Sequence, residues 1–355
     1  MKHCVKGLSG LLTCMVLVMV LLSPTFAFAG ENGSVTVYNW EDYINPEAVK
    51  LFEEETGITV NMTYFTTNED MMVQVRNSPS SFDVIIPSDY CIDRLNKEGL
   101  LEEINLDNIP NLKNIDPSLR GLYYDENEQY SVPYMWGTVG ICYNTTMISE
   151  EEVQSWEVIF NDKAKDNVFM LDSIRDSMGI TLKYLGYSLN TRDPLEMNAA
   201  KEALIDQKRR GLVKAYQVDE VKDKMVAGEA ALAVMWNGDA MYSIDLNNDL
   251  DFVVPKEGSN IWVDAMIIPK GAKNKANAEA FINFMCRPDI AVMNFNEIWY
   301  STPNLEAVKL MGETYTSNTV ISPKPESLVN CEYFHDIEDV IKIYNAMWTE
   351  IKSAK

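Results

Sequence analysis

Alternation of predicted strands and helices in the first quarter of the chain limits its fold more than any other feature. Residues 34–38 and 58–65 alternate apolar and polar side chains as strands do. The helix predicted between them begins after Asn45, whose side chain can cap it, and ends at Gly57. A continuous apolar run at residues 82–86 then has the pattern of a buried parallel strand. Strands that alternate with helices predict an α/β protein with an open sheet.

Further apolar runs continue this pattern through the rest of the chain. The later predicted strands are residues 167–171, 231–235, 252–254 and 263–268. No repeat, low-complexity tract or Gly/Ser linker separates them, so two α/β lobes that share strands are expected rather than two domains in series. An apolar stripe at helical spacing over residues 336–351 predicts a final helix that packs on the core.

The start of the chain has the features of an export signal. Two lysines precede an apolar run at residues 11–22, and Ala27 and Ala29 provide the small side chains of a cleavage site before Gly30. Residues 1–29 are therefore predicted to be a cleaved signal peptide. The run is short for a membrane span, and no later stretch has the roughly 20 apolar residues needed. We expect an exported, periplasmic protein without direct membrane insertion.

The charge of the chain restricts its partners. Lys and Arg number 30 against 53 Asp and Glu, which gives a formal net charge of −23. Such a surface repels nucleic acids and anionic lipids, so no nucleic acid partner is expected and a charged ligand should be a cation. His335 is the one histidine that follows the signal peptide. This speaks against histidine-based catalysis or a histidine metal site, and we expect neither a metal nor a cofactor.

The cysteines that follow the signal peptide are widely spaced, without a C-x-x-C pair. They are Cys91, Cys142, Cys286 and Cys331. We expect buried free thiols, because a core of this size needs no disulfide.

Aromatic and acidic side chains come together directly after several predicted strands. They lie at residues 40–43, at 87–90 and at 236–239. Trp262 and Asp264 stand two apart at the start of another predicted strand, and Tyr300 is a further aromatic residue before a predicted turn. Ligands of open α/β sheets bind beyond the carboxyl ends of the strands, so their shared position favours a binding site. Each group also has a structural explanation: Trp40 and Trp236 could be half-buried core, Asp42 a helix cap, and residues 173–176 a capping box.

Rings and carboxylates together suit an alkylammonium ligand. An aromatic face attracts a cation by roughly 0.5 to 2 kcal/mol. A carboxylate within about 4 Å adds roughly 4 kcal/mol at an effective dielectric of 20, before desolvation is subtracted. A molecule with amines at both ends and methylenes between them would use both kinds of group.

An ordered series of motifs closely resembles the bacterial spermidine/putrescine-binding proteins. The matching segments are residues 39–43, 84–90, 131–137, 235–238, 255–258, 261–264 and 301–304. The resemblance covers nearly the whole chain after the signal peptide. It implies a two-lobed periplasmic-binding-protein fold of type II, with a hinge and a ligand cleft between the lobes. It also implies delivery of a polyamine to an ABC permease in the inner membrane by a protein that is not an enzyme.

Position by position, the resemblance also implies a set of ligand-binding residues. They are Trp40, Glu41, Asp42, Tyr43, Ser88, Tyr90, Ser173, Asp176, Trp236, Trp262, Asp264 and Tyr300. In this set Asp264 and Asp176 hold amines, Trp236 and Trp262 stack on the ligand, and Tyr300 forms a wall of the cleft.

Three positions depart from the family pattern. Ser173 stands where spermidine-preferring relatives have an acid, Phe334 where some have glutamine, and Glu41 where a hydroxyl residue is common. Loss of the middle acid should weaken preference for a triamine, because its third charge would be desolvated without a partner. Glu41 or Asp172 could compensate, so putrescine and spermidine both remain candidates.

The resemblance sets expected lobe boundaries. One lobe would comprise residues 30–137 with 263–308, and the other residues 138–262 with 309–355. The protein is expected to be a monomer that closes around its ligand and is then recognised by the permease.

Two other functions use the same residues. An exported glycoside hydrolase would use Asp176 and Asp264 as paired carboxylates, although several crowded acids suit a cation better than one acid of raised pKa. A ferric iron binder would use tyrosines such as Tyr43 and Tyr90.

Overall fold

A computed structural model describes residues 33–355, so the predicted signal peptide lies outside the described residues. None of the helices in this range has the length and apolar character of a membrane span. Nine strands are formed there: β1 Ser34–Trp40, β2 Thr59–Phe65, β3 Val84–Ile85, β4 Ser131–Asn144, β5 Val168–Leu171, β6 Val213–Gln217, β7 Leu232–Trp236, β8 Leu250–Val253 and β9 Ile261–Ile267.

Helices connect most of these strands, together with short 3₁₀ helices. The α-helices are α1 Pro46–Thr56, α2 Asn68–Asn77, α3 Asp89–Lys97, α4 Ile174–Tyr184, α5 Pro194–Arg209, α6 Val221–Val226, α7 Asn237–Leu246, α8 Lys275–Met285, α9 Pro288–Ile298, α10 Leu305–Met311, α11 Glu313–Thr316, α12 Pro325–Leu328 and α13 Ile341–Ser353. The sequence signals at the first helix are confirmed. Asn45 accepts hydrogen bonds from the first-turn backbone of α1, and Gly57 ends it with a φ of 70°.

The strands form one sheet path with the order β2-β1-β3-β9-β4-β7-β5-β6, and β8 pairs with β4 beside it. β1 is parallel to β2 and β3, whereas β9 runs antiparallel to both β3 and β4. The long strand β4 pairs with β9 along its first part and with β7 and β8 along its second part. β4 therefore belongs to both halves of the sheet.

Two large apolar cores lie on the two halves. One includes Val37 of β1, Phe52 of α1 and Met266 of β9. The other includes Ile141 of the second part of β4 and Leu171 of β5. Two cores on one mixed sheet agree with the predicted two-lobed α/β architecture, while the lobe boundaries within residues 30–355 stay predictions.

Several element ends differ from the sequence predictions. β1 continues through Trp40 and β9 begins at Ile261, so both strands extend toward the aromatic and acidic motifs. The last helix begins at Ile341 rather than at residue 336, because Asp336 caps the following turn by accepting a hydrogen bond from Glu338 N at 3.1 Å. Its apolar stripe does pack on the second core, as predicted.

The four cysteines are free thiols, as expected from their spacing. Cys91, Cys142 and Cys286 are buried. Cys331 is half-buried, so the expectation of full burial is wrong at that one position.

Candidate functional site

Asp264 is the best-defined acidic group among the predicted site residues. β9 places Trp262 and Asp264 on one face, because side chains two apart on a strand point the same way. The Tyr43 hydroxyl donates to Asp264 Oδ2 at 2.9 Å, whereas Oδ1 is buried without a hydrogen-bond partner. Burial raises the pKa of Asp264 to about 6, although Ser88 and Tyr43 both lower it. The site therefore carries an acceptor that an incoming donor can satisfy.

Aromatic rings surround this carboxylate. The ring of Tyr300 lies edge-on to that of Trp262, with centroids 5.1 Å apart, and 5.8 Å from that of Tyr43. Trp262 is buried, and its indole Nε1 has no acceptor. Buried tryptophan N–H groups usually find a partner, so this one is also available to a ligand or an ordered water.

Two glycines allow the rings to approach the backbone. A Cβ atom on Gly137 would lie 2.6 Å from Cζ2 of Trp262, and one on Gly238 would lie 2.2 Å from Cδ1 of Tyr300. Both distances are well below van der Waals contact. The glycines of the Trp136-Gly137 and Asn237-Gly238 motifs therefore fix where the two rings can sit.

Asp176 provides a second buried carboxylate, in the first turn of α4. The Ser173 hydroxyl donates to Asp176 Oδ2 at 2.6 Å and accepts from its backbone N–H at 3.3 Å. Ser173 is therefore confirmed as the N-cap, whereas the Asp176 carboxylate binds the Ser173 hydroxyl and not the Ser173 backbone N–H that a full capping box would use. Asp176 Oδ1 is buried without a partner. Burial raises the pKa of Asp176, while Ser173, Arg175 and Asn260 lower it. A structural role and an unsatisfied acceptor thus coexist in one side chain.

The first loop contributes its aromatic residues to the buried region but not its acids. Trp40 is half-buried, packs against Phe65 with centroids 4.5 Å apart, and has a buried Nε1 without an acceptor. Glu41 and Asp42 are both exposed. The expectation that these two carboxylates line the cleft is therefore not supported in this conformation, because they point to solvent at a turn.

Trp236 lies between the lobes. It is half-buried at the end of β7 and packs against both large cores. This placement agrees equally with Trp236 as a core residue and with Trp236 as a residue that stacks on a ligand. A ring that packs against both cores can contact a ligand bound between them.

Ser88 and Tyr90 are held together by one amide. Asn68 Nδ2 lies 3.0 Å from both the Ser88 and the Tyr90 hydroxyl oxygens. Burial raises the pKa of Tyr90 well above its usual range, and burial does the same to Tyr43. Iron coordination needs phenolates, so these environments oppose the ferric iron alternative. No group of metal-ligating His, Cys, Asp and Glu side chains occurs among residues 33–355.

Arg175 was not among the predicted site residues. Its side chain is buried, and its guanidinium carbon lies 4.3 Å from the centroid of the Phe334 ring and 5.1 Å from that of Tyr90. Its Nη2 donates to His335 O at 3.1 Å, and its Nε has no acceptor. Its position next to Asp176 was the only signal in the sequence.

Two buried acids were also outside the predicted set. Asp89 accepts backbone N–H groups from Tyr90 at 2.7 Å and from Val263 at 3.4 Å. Asp239 lies 3.6 Å from Lys222 Nζ, and burial raises its pKa to about 6 despite that lysine. Both follow predicted strand ends directly, which is the signal that could have identified them.

The site residues thus form two connected groups. The first group is the Asp264 carboxylate with the side chains near it, which are Tyr43, Ser88, Trp262 and Tyr300. The second group is the Asp176 carboxylate with Ser173. Tyr90 links them through its contact with Arg175.

Comparison with known proteins places this geometry in a family. Residues 47–321 match the model of the bacterial extracellular solute-binding proteins. The spermidine/putrescine-binding periplasmic protein of Escherichia coli K12 is 33% identical over 94% of this chain and 96% of its own length. A putrescine-binding periplasmic protein of Pseudomonas aeruginosa is 30% identical over 93% of this chain and 94% of its own length.

A solved structure agrees with these relatives. The putative spermidine/putrescine ABC transporter protein of Listeria monocytogenes superimposes with a TM-score of 0.85 at 37% identity, covering 91% of this chain and 99% of the other. The family match spans most of the described residues, and the sequence relatives align almost end to end. This chain therefore belongs to the bacterial extracellular solute-binding protein family.

Proposed function

We propose that this protein captures polyamines of the putrescine and spermidine class in its cleft and delivers them to an ABC importer. One observation carries the proposal. Asp264 and Asp176 are both buried, and each keeps one carboxylate oxygen without a partner. An unpaired buried carboxylate is costly unless a cation meets it, so the cleft is built for a ligand with separated positive charges.

The surrounding rings supply the remaining recognition. Trp262, Tyr300 and Tyr43 lie around one carboxylate, and Trp40 keeps an indole N–H without an acceptor. Methylene groups between two ammonium groups would pack on these faces, and the ammonium groups would gain cation–π attraction. We infer that Trp236, at the junction of the cores, stacks on the same ligand.

Closure of the lobes completes the cycle. By the proposed boundaries, Asp264 belongs to residues 30–137 with 263–308, and Asp176 to residues 138–262 with 309–355. A ligand that bridges them binds the closed form better than the open form, which shifts the population toward closure. The permease then recognises the closed form.

Location and state follow from the same proposal. The first 29 residues are removed before Gly30, and the mature protein works in the periplasm as a monomer. The relative of Escherichia coli is named as a periplasmic protein.

The glycoside hydrolase alternative loses its support. The matched family and the relatives are binding proteins, not enzymes. Asp176 and Asp264 also share their cleft with two further buried acids, Asp89 and Asp239, as suits a cation better than a sugar.

Titration calorimetry with putrescine, spermidine, spermine and agmatine at one salt concentration tests the proposal. At least one should bind with a dissociation constant in the micromolar range or below, and Asp264→Ala and Trp262→Ala should each weaken that binding severely in folded protein. The exposed acid Asp193, a cap of α5, gives the control Asp193→Asn, which should bind as the wild type does. Wild-type affinity in both cleft variants, or no binding of any amine, contradicts the proposal.

A further inference from the structure

The acids around the cleft differ in whether a positive charge or a hydrogen-bond donor of the protein already pairs with their oxygens. Asp239 has Lys222 beside it at 3.6 Å. Asp172 is exposed, and Lys352 Nζ donates to its Oδ1 at 2.8 Å and to its Oδ2 at 2.7 Å. Asp172 therefore does not replace the acid missing at position 173.

Asp89 already has both of its oxygens occupied by the protein. They accept the backbone N–H groups of Tyr90 and Val263. Burial raises the pKa of this carboxyl well above its usual value, and the positive charge of Arg175 offsets only part of that rise. Asp89 thus has no free acceptor oxygen for an ammonium group.

Only Asp264 and Asp176 keep a buried oxygen without a donor among the acids of the described residues. A ligand with two positively charged donor groups would satisfy both of these oxygens. The remaining nearby acids, Glu41, Asp42 and Glu69, are exposed, and solvated carboxylates add little to binding.

Arg175 also occupies the aromatic surface on which a third ammonium group would stack. Its guanidinium carbon lies 4.3 Å from the Phe334 centroid and 5.1 Å from the Tyr90 centroid. A further cation placed there would meet a fixed like charge in a dry environment, where the repulsion is strongest.

We propose that Arg175, whose guanidinium lies over the rings of both Tyr90 and Phe334, is a specificity-determining residue that restricts the cleft to ligands with two ammonium groups. This inference rests on the proposed function and narrows it from polyamines to diamines. Arg175 holds the place that a third ammonium group would need. A diamine therefore pairs with both free carboxylate oxygens, whereas a triamine brings one cation that has no partner.

Calorimetry on the wild type tests charge separately from length. The probes are putrescine, spermidine and N-butyl-1,4-diaminobutane, which has the length of spermidine but a methyl group in place of one terminal amine. We expect spermidine to bind at least tenfold more weakly than putrescine, and the butyl compound to bind more tightly than spermidine. Spermidine that binds as tightly as putrescine overturns the inference, as does a butyl compound no better than spermidine.

Variants then locate the effect. Arg175→Met removes the positive charge from the rings of Tyr90 and Phe334, so the ratio of spermidine to putrescine affinity should rise at least tenfold. Arg192→Met is the matched control, because Arg192 is exposed, carries the same charge and pairs with Asp339. Its ratio should stay that of the wild type. An equal change in both affinities in Arg175→Met refutes the inference.

The outcomes separate the two proposals. If Arg175→Met does not fold, the ranking of the three probes on the wild type still decides. If amines bind but spermidine ranks first, only the restriction to two charges falls. If no amine binds, the proposed function fails and this inference falls with it.

Discussion

Replacing Asp264 by asparagine should stabilise the free protein and weaken ligand binding at the same time. The carboxyl group is buried with one oxygen unpaired, and its pKa is raised to about 6. Asparagine keeps an acceptor for the Tyr43 hydroxyl, which lies 2.9 Å from Oδ2, but carries no charge. The substitution therefore removes the buried charge with little change in shape.

The size of the stability change follows from the pKa. A rise from 3.8 to about 6 corresponds to a penalty on the ionised folded form of about 3 kcal/mol, at about 1.4 kcal/mol for each pH unit. Because the folded pKa is the higher one, the penalty is absent below pH 3.8, grows as the pH rises, and is complete above pH 6. At pH 7 the variant should gain about 3 kcal/mol, or roughly 5 °C in Tm.

The loss of affinity should be larger than this gain. Removing one partner of a buried charge pair costs about 3 to 5 kcal/mol, which is roughly a hundredfold to several thousandfold in the dissociation constant. Thermal unfolding with and without putrescine measures both effects in one experiment, because the stabilisation by a ligand grows with the logarithm of its concentration divided by its dissociation constant.

A second buried aspartate supplies the control. The two oxygens of Asp83 accept three hydrogen bonds, from Thr36 N, from Asn274 N and from the Asn274 amide. Asp83→Asn should lower Tm, since the new amide donor faces other donors, and should leave putrescine affinity unchanged. If Asp264→Asn lowers Tm as Asp83→Asn does, or keeps full affinity, the account of Asp264 as a strained ligand anchor is wrong.

Three further predictions concern the geometry and titration of the cleft. Gly238→Ala should weaken putrescine binding at least tenfold in calorimetry, because a Cβ atom there would lie 2.2 Å from Cδ1 of Tyr300 and displace that ring; unchanged affinity would disprove this role. Putrescine affinity should be constant from pH 7 to 8 and fall below pH 6 as Asp264 takes up a proton, and an affinity that is flat from pH 5 to 8 contradicts the raised pKa. Arg94→Gln should increase the radius of gyration of the free protein in X-ray scattering, because it removes an ion pair between the proposed lobes, at 3.5 Å from Asp336, and the same scattering as the wild type rejects that role.

Much of the fold could be read from the sequence because its signals are local. The apolar runs that become β5, β7 and β9 lie within a few residues of the predicted strands. The caps of α1 and α4 also depend only on neighbouring residues. The start of α13 was predicted at residue 336 but lies at Ile341. An apolar stripe indicates which face of a helix is buried, but it does not indicate at which residue a preceding turn ends and the helix begins.

The site was only partly predictable for a physical reason. A position after a strand indicated Tyr43, and spacing by two on a predicted strand indicated Trp262 and Asp264. The structure brings Tyr43 and Asp264 into contact. Arg175 and Phe334 meet across a long stretch of sequence, so no local pattern marks their stacking. The exposure of Glu41 depends on a turn whose direction only the folded backbone fixes.

The central position of β9 governs when the chain can acquire its structure. β9 lies between β3 and β4, and Ile85 of β3 pairs with Ile267 at its far end. The first lobe thus stays incomplete until the ribosome has made most of the polypeptide, and long-range pairing of this kind is slow. Fragments that stop before Ile261 should remain unfolded, so neither half can be prepared alone by simple truncation.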